Sequence, residues 1–267
     1  MKANQYGKVS QAEFKAVCRE GRTILEEVGF TAPFKIMKPF CNAEHPEKIK
    51  IMLLSASAGI MEGDRQELSF SIGSKSQVEL TSQSYEKIHR MEEGNAKRNT
   101  HIKVVGGGVF LYRPLPVIPF ADSSFISETE VDLEDASSVF MMEEILSCGR
   151  AARGERFAYR SFINRVRVNC AGRLIYADNT VYAPEHFPMN GTGWYEGYTH
   201  QGNMLFCGCR IREETLEEIR EYLETCEETE GGISITGSGC AAVRILGRRA
   251  EVLEKMCKEI AGKIVAG

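Results

Sequence analysis

From about residue 8 to residue 208 the dominant period of the chain is two, and this constrains its fold more than any other feature. In FISETEVDL (125–133), Phe125, Val131 and Leu133 share one face, while Glu128, Glu130 and Asp132 take the other with Ile126 as its single apolar member. In QELSFSI, Leu68, Phe70 and Ile72 alternate with Glu67, Ser69 and Ser71. SQVELTS and NRVRVNC repeat the pattern through Val78 and Leu80, and through Val166, Val168 and Cys170. Successive side chains of a strand point to opposite faces, so this alternation marks strands with one buried side. The connectors EGDR, IGSKS, VGGG and CAGR are short and glycine-rich, as tight reversals between strands require. The pattern predicts an all-β body over residues 1–210 and leaves sandwich, barrel and solenoid open; no strict repeat is visible.

The last quarter changes period. In REETLEEIREYLETCEET, Leu216, Ile219, Leu223 and Cys226 recur at spacings of three and four, which predicts an amphipathic helix. ISITGSGCAAVRIL reads as a hairpin around Gly237–Gly239, and RAEVLEKMCKEIAGKIV aligns Leu253, Met256, Ile260 and Ile264 on a second helical stripe. The expectation is an α-β-β-α segment, 211–267, packed on the same domain. PEHFPMNGTGW, with two prolines and two glycines, reads as a loop.

Net charge −4 and the lack of any long basic run argue against nucleic-acid binding, which needs a concentrated positive face. Apolar runs such as IMLL are too short to span a bilayer, and MKANQYGKVSQAEFKAV has no apolar core of a signal peptide. A cytoplasmic protein is therefore expected, and its nine scattered cysteines are expected to be free, mostly buried thiols.

Candidate chemistry is sparse. Gly106–Gly108 and Gly237–Gly239 lack the Lys-Ser/Thr of a phosphate loop and lie between strands, so they read as tight turns. SASAG (55–59) resembles a nucleophile elbow without its first glycine, and no helix pattern follows it; a strand end entering a loop is the plainer reading of Ser55 and Ser57. Cys207 and Cys209 in LFCGC would lie on one face of a strand and could share a soft metal, with His200 and His186 upstream; a closed zinc site wants four ligands, and a buried core pair is the alternative. Glu143 and Glu144 interrupt the apolar run VFMMEEILSCG. Neighbours in a strand point opposite ways, so one of them faces inward, where it needs a partner. Arg150, Arg153 and Arg156 are near enough in sequence to supply it, Arg150 above all. In GRAARGERF (149–157), Gly149 and Gly154 permit a sharp reversal, Arg150 and Glu155 read as opposed charges, and Phe157 reads as a buried anchor. These charges either form structural ion pairs or line a polar interior pathway.

AGIMEGDR (58–65), LTSQSYEKIHR (80–90), LPVIPFADS (115–123), EILSCGRAARGERF (144–157) and GRLIYADNTVY (172–182) together resemble the urease accessory protein D family, called H in some bacteria. GR-x-A-x-GE-x-F is the most specific element. The chain departs from common members at Glu62-Gly63-Asp64, where they carry GGD, at Ser57-Ala58-Gly59, where they carry PPG, and at Glu143, where many have Trp.

The resemblance implies a mainly β, layered, solenoid-like stack of short strands with two helices in the C-terminal region. It implies a non-enzymatic urease maturation factor that binds apo-urease and a helical accessory protein F, and through F the nickel-carrying GTPase G. It implies transient passage of Ni2+ through an internal polar path, with no permanently bound cofactor. By motif match, Asp64, Glu144, Glu155 and Asp178 are the candidates to line that path, Asp64 and Asp178 first, followed by Ser82 and Ser84. Cys207 and Cys209 rank lower because thiolates would hold nickel too tightly for release. A purely structural adaptor and a small β-rich hydrolase built on Ser57 are the competing readings.

Overall fold

A computed structural model of the protein describes residues 9–266. The chain runs β1 (Val9–Arg19), β2 (Arg22–Phe30), β3 (Phe34–Ile36), β4 (Phe40–Asn42), β5 (His45–Ser55), β6 (Arg65–Ile72), β7 (Gln77–Ser82), β8 (Glu86–Ile88) and β9 (Ala96–Val104). It continues with β10 (Val109–Arg113), β11 (Val117–Pro119), β12 (Ser124–Leu133), β13 (Val139–Ser147), a 3-10 turn at Ala151–Arg153, β14 (Ser161–Cys170), β15 (Arg173–Tyr182) and β16 (His200–Cys207). Helix α1 (Glu213–Thr225), strands β17 (Thr229–Ile235) and β18 (Ala241–Gly247), and helix α2 (Ala250–Ala266) follow.

The strands form two mixed sheets. One has seven strands in the order β15-β14-β12-β9-β6-β1-β2; the other has eleven, along the path β17-β18-β16-β13-β10-β7-β5-β3 with β4, β8 and β11 attached. From β5 to β14 the chain passes back and forth between them. β5, β7, β10 and β13 pair in parallel in one sheet, and β6, β9, β12 and β14 pair in parallel in the other. The mainly β expectation holds, as do the two late helices. What the resemblance implied as a solenoid-like stack is here two mixed sheets facing each other, closed by antiparallel strands at both edges.

This winding sorts the connections. The tight turns at 73–76, 105–108 and 134–138 all fall at one end, and the long loops at 56–64, 83–95, 114–123 and 148–160 at the other. Each tight turn is tied to the next: Ser74 Oγ donates to the Gly106 carbonyl at 2.8 Å, and the Gly107 N–H donates to Ser137 Oγ at 2.8 Å. The loops stack likewise, through the Ile60–Ile88 bridge and the β8–β11 ladder.

Burial follows the sequence period. Between the sheets, toward the tight turns, Phe14, Ile51, Phe70, Ile102, Phe110, Val131, Phe140 and Val168 form one apolar core. Ile60, Ile88, Phe125, Tyr159, Phe162 and Tyr195 form another toward the loops. The helices cover the outer face of the larger sheet. Leu216, Ile219 and Leu223 of α1, and Leu253, Met256, Ile260 and Ile264 of α2, pack on Met141, Ile145, Met204, Phe206, Val243 and Ile245. Glu213 and Glu214 in the first turn of α1 suit the positive end of its dipole. β18 pairs with β16, so the late hairpin extends the larger sheet.

Candidate functional site: a polar row between the sheets

Between the two interior cores the inward side chains turn polar. One register row across the smaller sheet reads Gln66, Arg98, Ser127, Asn164, Thr180 on β6, β9, β12, β14 and β15. The neighbouring row adds Thr100, Thr129 and Asp178. The larger sheet presents Glu144, Asn203 and Arg244 in register on β13, β16 and β18. Parallel pairing in register aligns residues of equal inward parity, so one polar residue per strand becomes a continuous belt.

Three cavities lie along this belt. The first, of about 150 Å3, opens among the exposed Ser57, Gln83 and Ser84 and reaches inward to Glu86, Arg98 and Tyr112. The second, of about 20 Å3, shares Arg98 and Tyr112 with it and adds Ser127, Thr129 and Glu144. The third, of about 30 Å3, shares Glu144 and Met142 with the second and ends at Tyr176, Asp178 and the exposed Arg244. A cavity needs roughly 10–15 Å3 of such space to hold a water, so even the small chambers have room for one or two.

The charges along the row are held by partners. Arg98 is buried. Its Nε and Nη2 donate to Gln66 Oε1 at 2.9 and 2.6 Å, its Nη2 also bonds Glu86, and its guanidinium lies 5.6 Å from the Phe125 ring. Glu144 Oε2 accepts from Asn164 Nδ2 at 2.6 Å. Burial pushes its carboxyl up to about 7; Arg98 pulls the other way, while Asp178 and Glu86 add to the rise. Asp178 accepts from Arg244 Nη2 at 2.5 Å, Thr180 Oγ1 at 2.8 Å and Tyr176 OH at 3.3 Å.

The residues singled out from sequence divide. Glu144 and Asp178 line the third chamber together. Ser82 and Ser84 line the first cavity, and Ser82 Oγ also accepts the Leu115 N–H at 2.8 Å. Asp64 lines none of the three; its Oδ2 accepts the Met61 N–H at 2.8 Å and shapes the loop before β6. Glu155 lies in the turn after β13, where it pairs with Arg150 through two hydrogen bonds and accepts the Ala121 N–H at 3.3 Å.

The expectation that Arg150 offsets Glu144 is therefore corrected. Arg150 is held by Glu155 and by the Phe120 ring, 4.2 Å from its guanidinium, whereas Glu144 faces β9 and β14 across the interior. Glu143 takes the opposite face, as strand geometry requires. It sits beside α2, where Arg113 Nε donates to it at 2.7 Å, and burial raises its carboxyl against the pull of Arg113. Phe157 is half-buried, edge-on to Tyr195 at 4.9 Å, and Tyr159 is the deeper anchor.

The cysteine pair is a second correction. β16 ends at Cys207, and Gly208 adopts φ +75°, which breaks the alternation. Cys207 consequently enters the core between the sheets beside Cys240, while Cys209 packs toward the helical layer. Burial raises the Cys209 thiol to about 11. No group of three or more His, Cys, Asp or Glu able to hold a metal occurs among the described residues. Ser57 bonds Ser55 Oγ and the Gly59 carbonyl, and His89 Nε2 bonds the Ala58 carbonyl, so this histidine is not engaged as a base for Ser57.

Sequence reasoning passed over Gln66, Arg98, Ser127, Thr129, Asn164, Asn203 and Arg244. The signal was available: each is a polar residue at inward parity within an otherwise amphipathic strand. Recognising that they align needs the register between strands.

The features define a β scaffold with a polar, water-sized interior row rather than a nucleophile-and-base site. The particular family follows from comparison. A profile described as UreD urease accessory protein matches residues 8–265. The chain is 38% identical over 257 residues to the urease accessory protein UreD of Acetivibrio thermocellus, covering 96% of this chain and 97% of that one. It is 36% identical over 260 residues to the urease accessory protein UreH of Helicobacter pylori, covering 97% and 96%. The chain belongs to the UreD family of non-catalytic urease accessory proteins, which act in urease maturation. No helix among the described residues is long and apolar enough to cross a membrane.

Proposed function

We propose that this protein is a cytoplasmic maturation factor that joins apo-urease to the accessory proteins, F directly and the GTPase G through F, and that nickel destined for urease passes along its polar row. The observation that carries this reading is the run of three cavities sharing Arg98, Tyr112 and Glu144 as common walls, with exposed residues at both ends. A divalent cation in transit needs oxygen donors and water that bind weakly enough to let go. The row offers carboxylates, amides and hydroxyls; Cys207 lies apart in the core between the sheets and Cys209 toward the helical layer. The opposed charges leave a small negative balance: Glu86 offsets Arg98, Arg244 offsets Asp178, and Glu144 is the remaining acid.

A blocked row provides the test. Ser127→Leu and Thr129→Leu place apolar bulk in the narrow middle chamber without touching an outer face. The expected result is assembly with F, G and apo-urease on gel filtration, with urease nickel content reduced at least several-fold by elemental analysis. Normal nickel content in an assembled complex would refute passage along the row. It would favour the adaptor reading, which has its own support in two pinned pairs: Arg98–Glu86, which ties the two sheets together, and Arg113–Glu143, which ties neighbouring strands of the larger sheet.

A further inference from the structure

Two of the nine cysteines, 33 positions apart in sequence, meet in the interior. Cys207 ends β16, and Cys240 immediately precedes β18. These strands are antiparallel neighbours, and their register runs to Phe206 opposite Ala241. One step further places Cys207 opposite Cys240. Both point inward, as the Asn203–Arg244 and Leu205–Ala242 pairs of the same ladder do. Opposed residues of an antiparallel pair hold their Cα atoms about 4.5–5.5 Å apart, inside the roughly 4.4–6.8 Å span of a disulfide. The two Sγ atoms lie 2.7 Å apart, and both residues are buried.

The two thiols are unequal. Hydrogen bonding with Cys207, and then with Ser238 and Thr236, lowers the Cys240 thiol against the opposite pull of burial. The contact with Cys240, and then burial, raises the Cys207 thiol. The thiolate is the nucleophile, so Cys240 is the attacking sulfur and Cys207 the resolving one. Cys240 adjoins the turn 236–239, in which Gly237, Ser238 and Gly239 are exposed. Few bonds close this turn. The Gly239 N–H donates to the Thr236 carbonyl at 2.9 Å, the Cys240 N–H to Thr236 Oγ1 at 3.1 Å, and Ser238 Oγ to the Ile175 carbonyl on β15. A glycine-rich turn with little buried apolar surface opens locally at low cost, enough to admit a small oxidant.

We propose that Cys207 and Cys240 are a modification site for hydrogen peroxide, which converts them to a reversible disulfide that staples β16 to β18. The Cys240 thiolate attacks one peroxide oxygen and the O–O bond breaks. The leaving hydroxide takes up the proton that the Cys240 thiol released, giving water and a Cys240 sulfenic acid. The Cys207 sulfur then attacks the Cys240 sulfur. The S–S bond forms as the S–O bond breaks, and the hydroxyl leaves with the Cys207 proton as a second water. Two thiols and one peroxide thus give one disulfide and two waters; the sulfurs lose two electrons and the peroxide oxygens gain them. In a reducing compartment such a bond is transient and redox-responsive rather than permanent. The closed loop contains α1 and β17, so the staple restrains the unfolded chain across that segment. The site is independent of the passage reading: both cysteines belong to the apolar core toward the tight turns and line none of the three cavities.

The experiment uses the purified full-length protein, fully reduced and then exposed to hydrogen peroxide. Remaining thiols are alkylated, and peptide mapping without reduction locates each bond. The expected product is a Cys207–Cys240 link that dithiothreitol reverses. The oxidised chain should melt roughly 5–10 °C above the reduced one. Cys209→Ala should keep both the link and the shift, and Cys207→Ala and Cys240→Ala should lose both. Cys207→Ala should also leave a sulfenic acid at Cys240 that dimedone traps, whereas Cys240→Ala should leave Cys207 unmodified. A bond from Cys240 to Cys170 or Cys209, or a bond between chains in place of the internal one, would overturn the proposal. So would two thiols that remain open to alkylation once the exposed Cys41 is fully oxidised. The peptide map of the unsubstituted chain decides the question even where an alanine variant fails to fold.

Discussion

Replacing Glu144 by Gln removes a titratable group from the interior while keeping an oxygen that accepts the Asn164 Nδ2–H bond. The side chain is half-buried against the opposite sheet, and desolvation raises its carboxyl from 4.5 to about 7. A folded-state value above the unfolded one means that the native protein binds the proton more tightly. This group therefore stabilises the fold least where it is ionised in both states, and stability falls as pH rises from about 4.5 to about 7 and is flat above. The full penalty is the 2.5-unit difference at about 1.4 kcal/mol per unit, or about 3 kcal/mol. Glu144→Gln should thus exceed the parent protein in stability by under about 1 kcal/mol at pH 5 and by about 3 kcal/mol at pH 8. Urea unfolding at pH 5, 6, 7 and 8, followed by tryptophan fluorescence and far-UV circular dichroism, measures the gap directly. Trp194 is the only tryptophan, so the two signals also test whether the loop it occupies unfolds with the sheets. A gap that does not widen with pH would refute the assignment of Glu144 as a desolvated interior carboxyl.

Arg98→Met strips Glu86 and Gln66 of their buried donor and should lower stability by about 3 kcal/mol, while the double variant Arg98→Met, Glu86→Gln recovers most of the loss; additive losses in denaturant titrations would show that the two side chains are not coupled. In GRAARGERF the backbone matters more than the ion pair: Gly149 has φ +131° and an added Cβ would lie 2.8 Å from the Glu155 carbonyl oxygen, so Gly149→Ala should cost more than about 1 kcal/mol. Arg150→Ala, which removes a solvent-screened pair, should shift the melting temperature far less, and the reverse order would contradict the turn geometry.

Parity and register are different kinds of information, and the candidate site divides along that line. The period of two placed Phe70, Val131 and Val168 inside, and the period of 3.6 placed Leu216, Ile219, Met256 and Ile260 against a sheet, because those choices depend only on geometry within one element. The same parity put Glu143 and Glu144 on opposite faces, and family motifs pointed to Glu144 and Asp178, which do meet in one chamber. They pointed equally to Asp64 and Glu155, which hold loops of their own at the end where the chain turns widely. Nearness in sequence suggested Arg150 for Glu144, but a strand carries its residues about 3.3 Å apart, away from the loop that follows it.

What the sequence alone determined is therefore which residues belong to strands, which to helices, which side of each faces inward, and the family. The tertiary structure decided which inward polar residue stands beside which. Gln66, Arg98, Ser127, Asn164 and Thr180 are up to 114 positions apart (180 minus 66) and share one row because four strand pairings, three parallel and one antiparallel, hold a common register. That register is a property of hydrogen bonds between strands, so no single strand's pattern contains it.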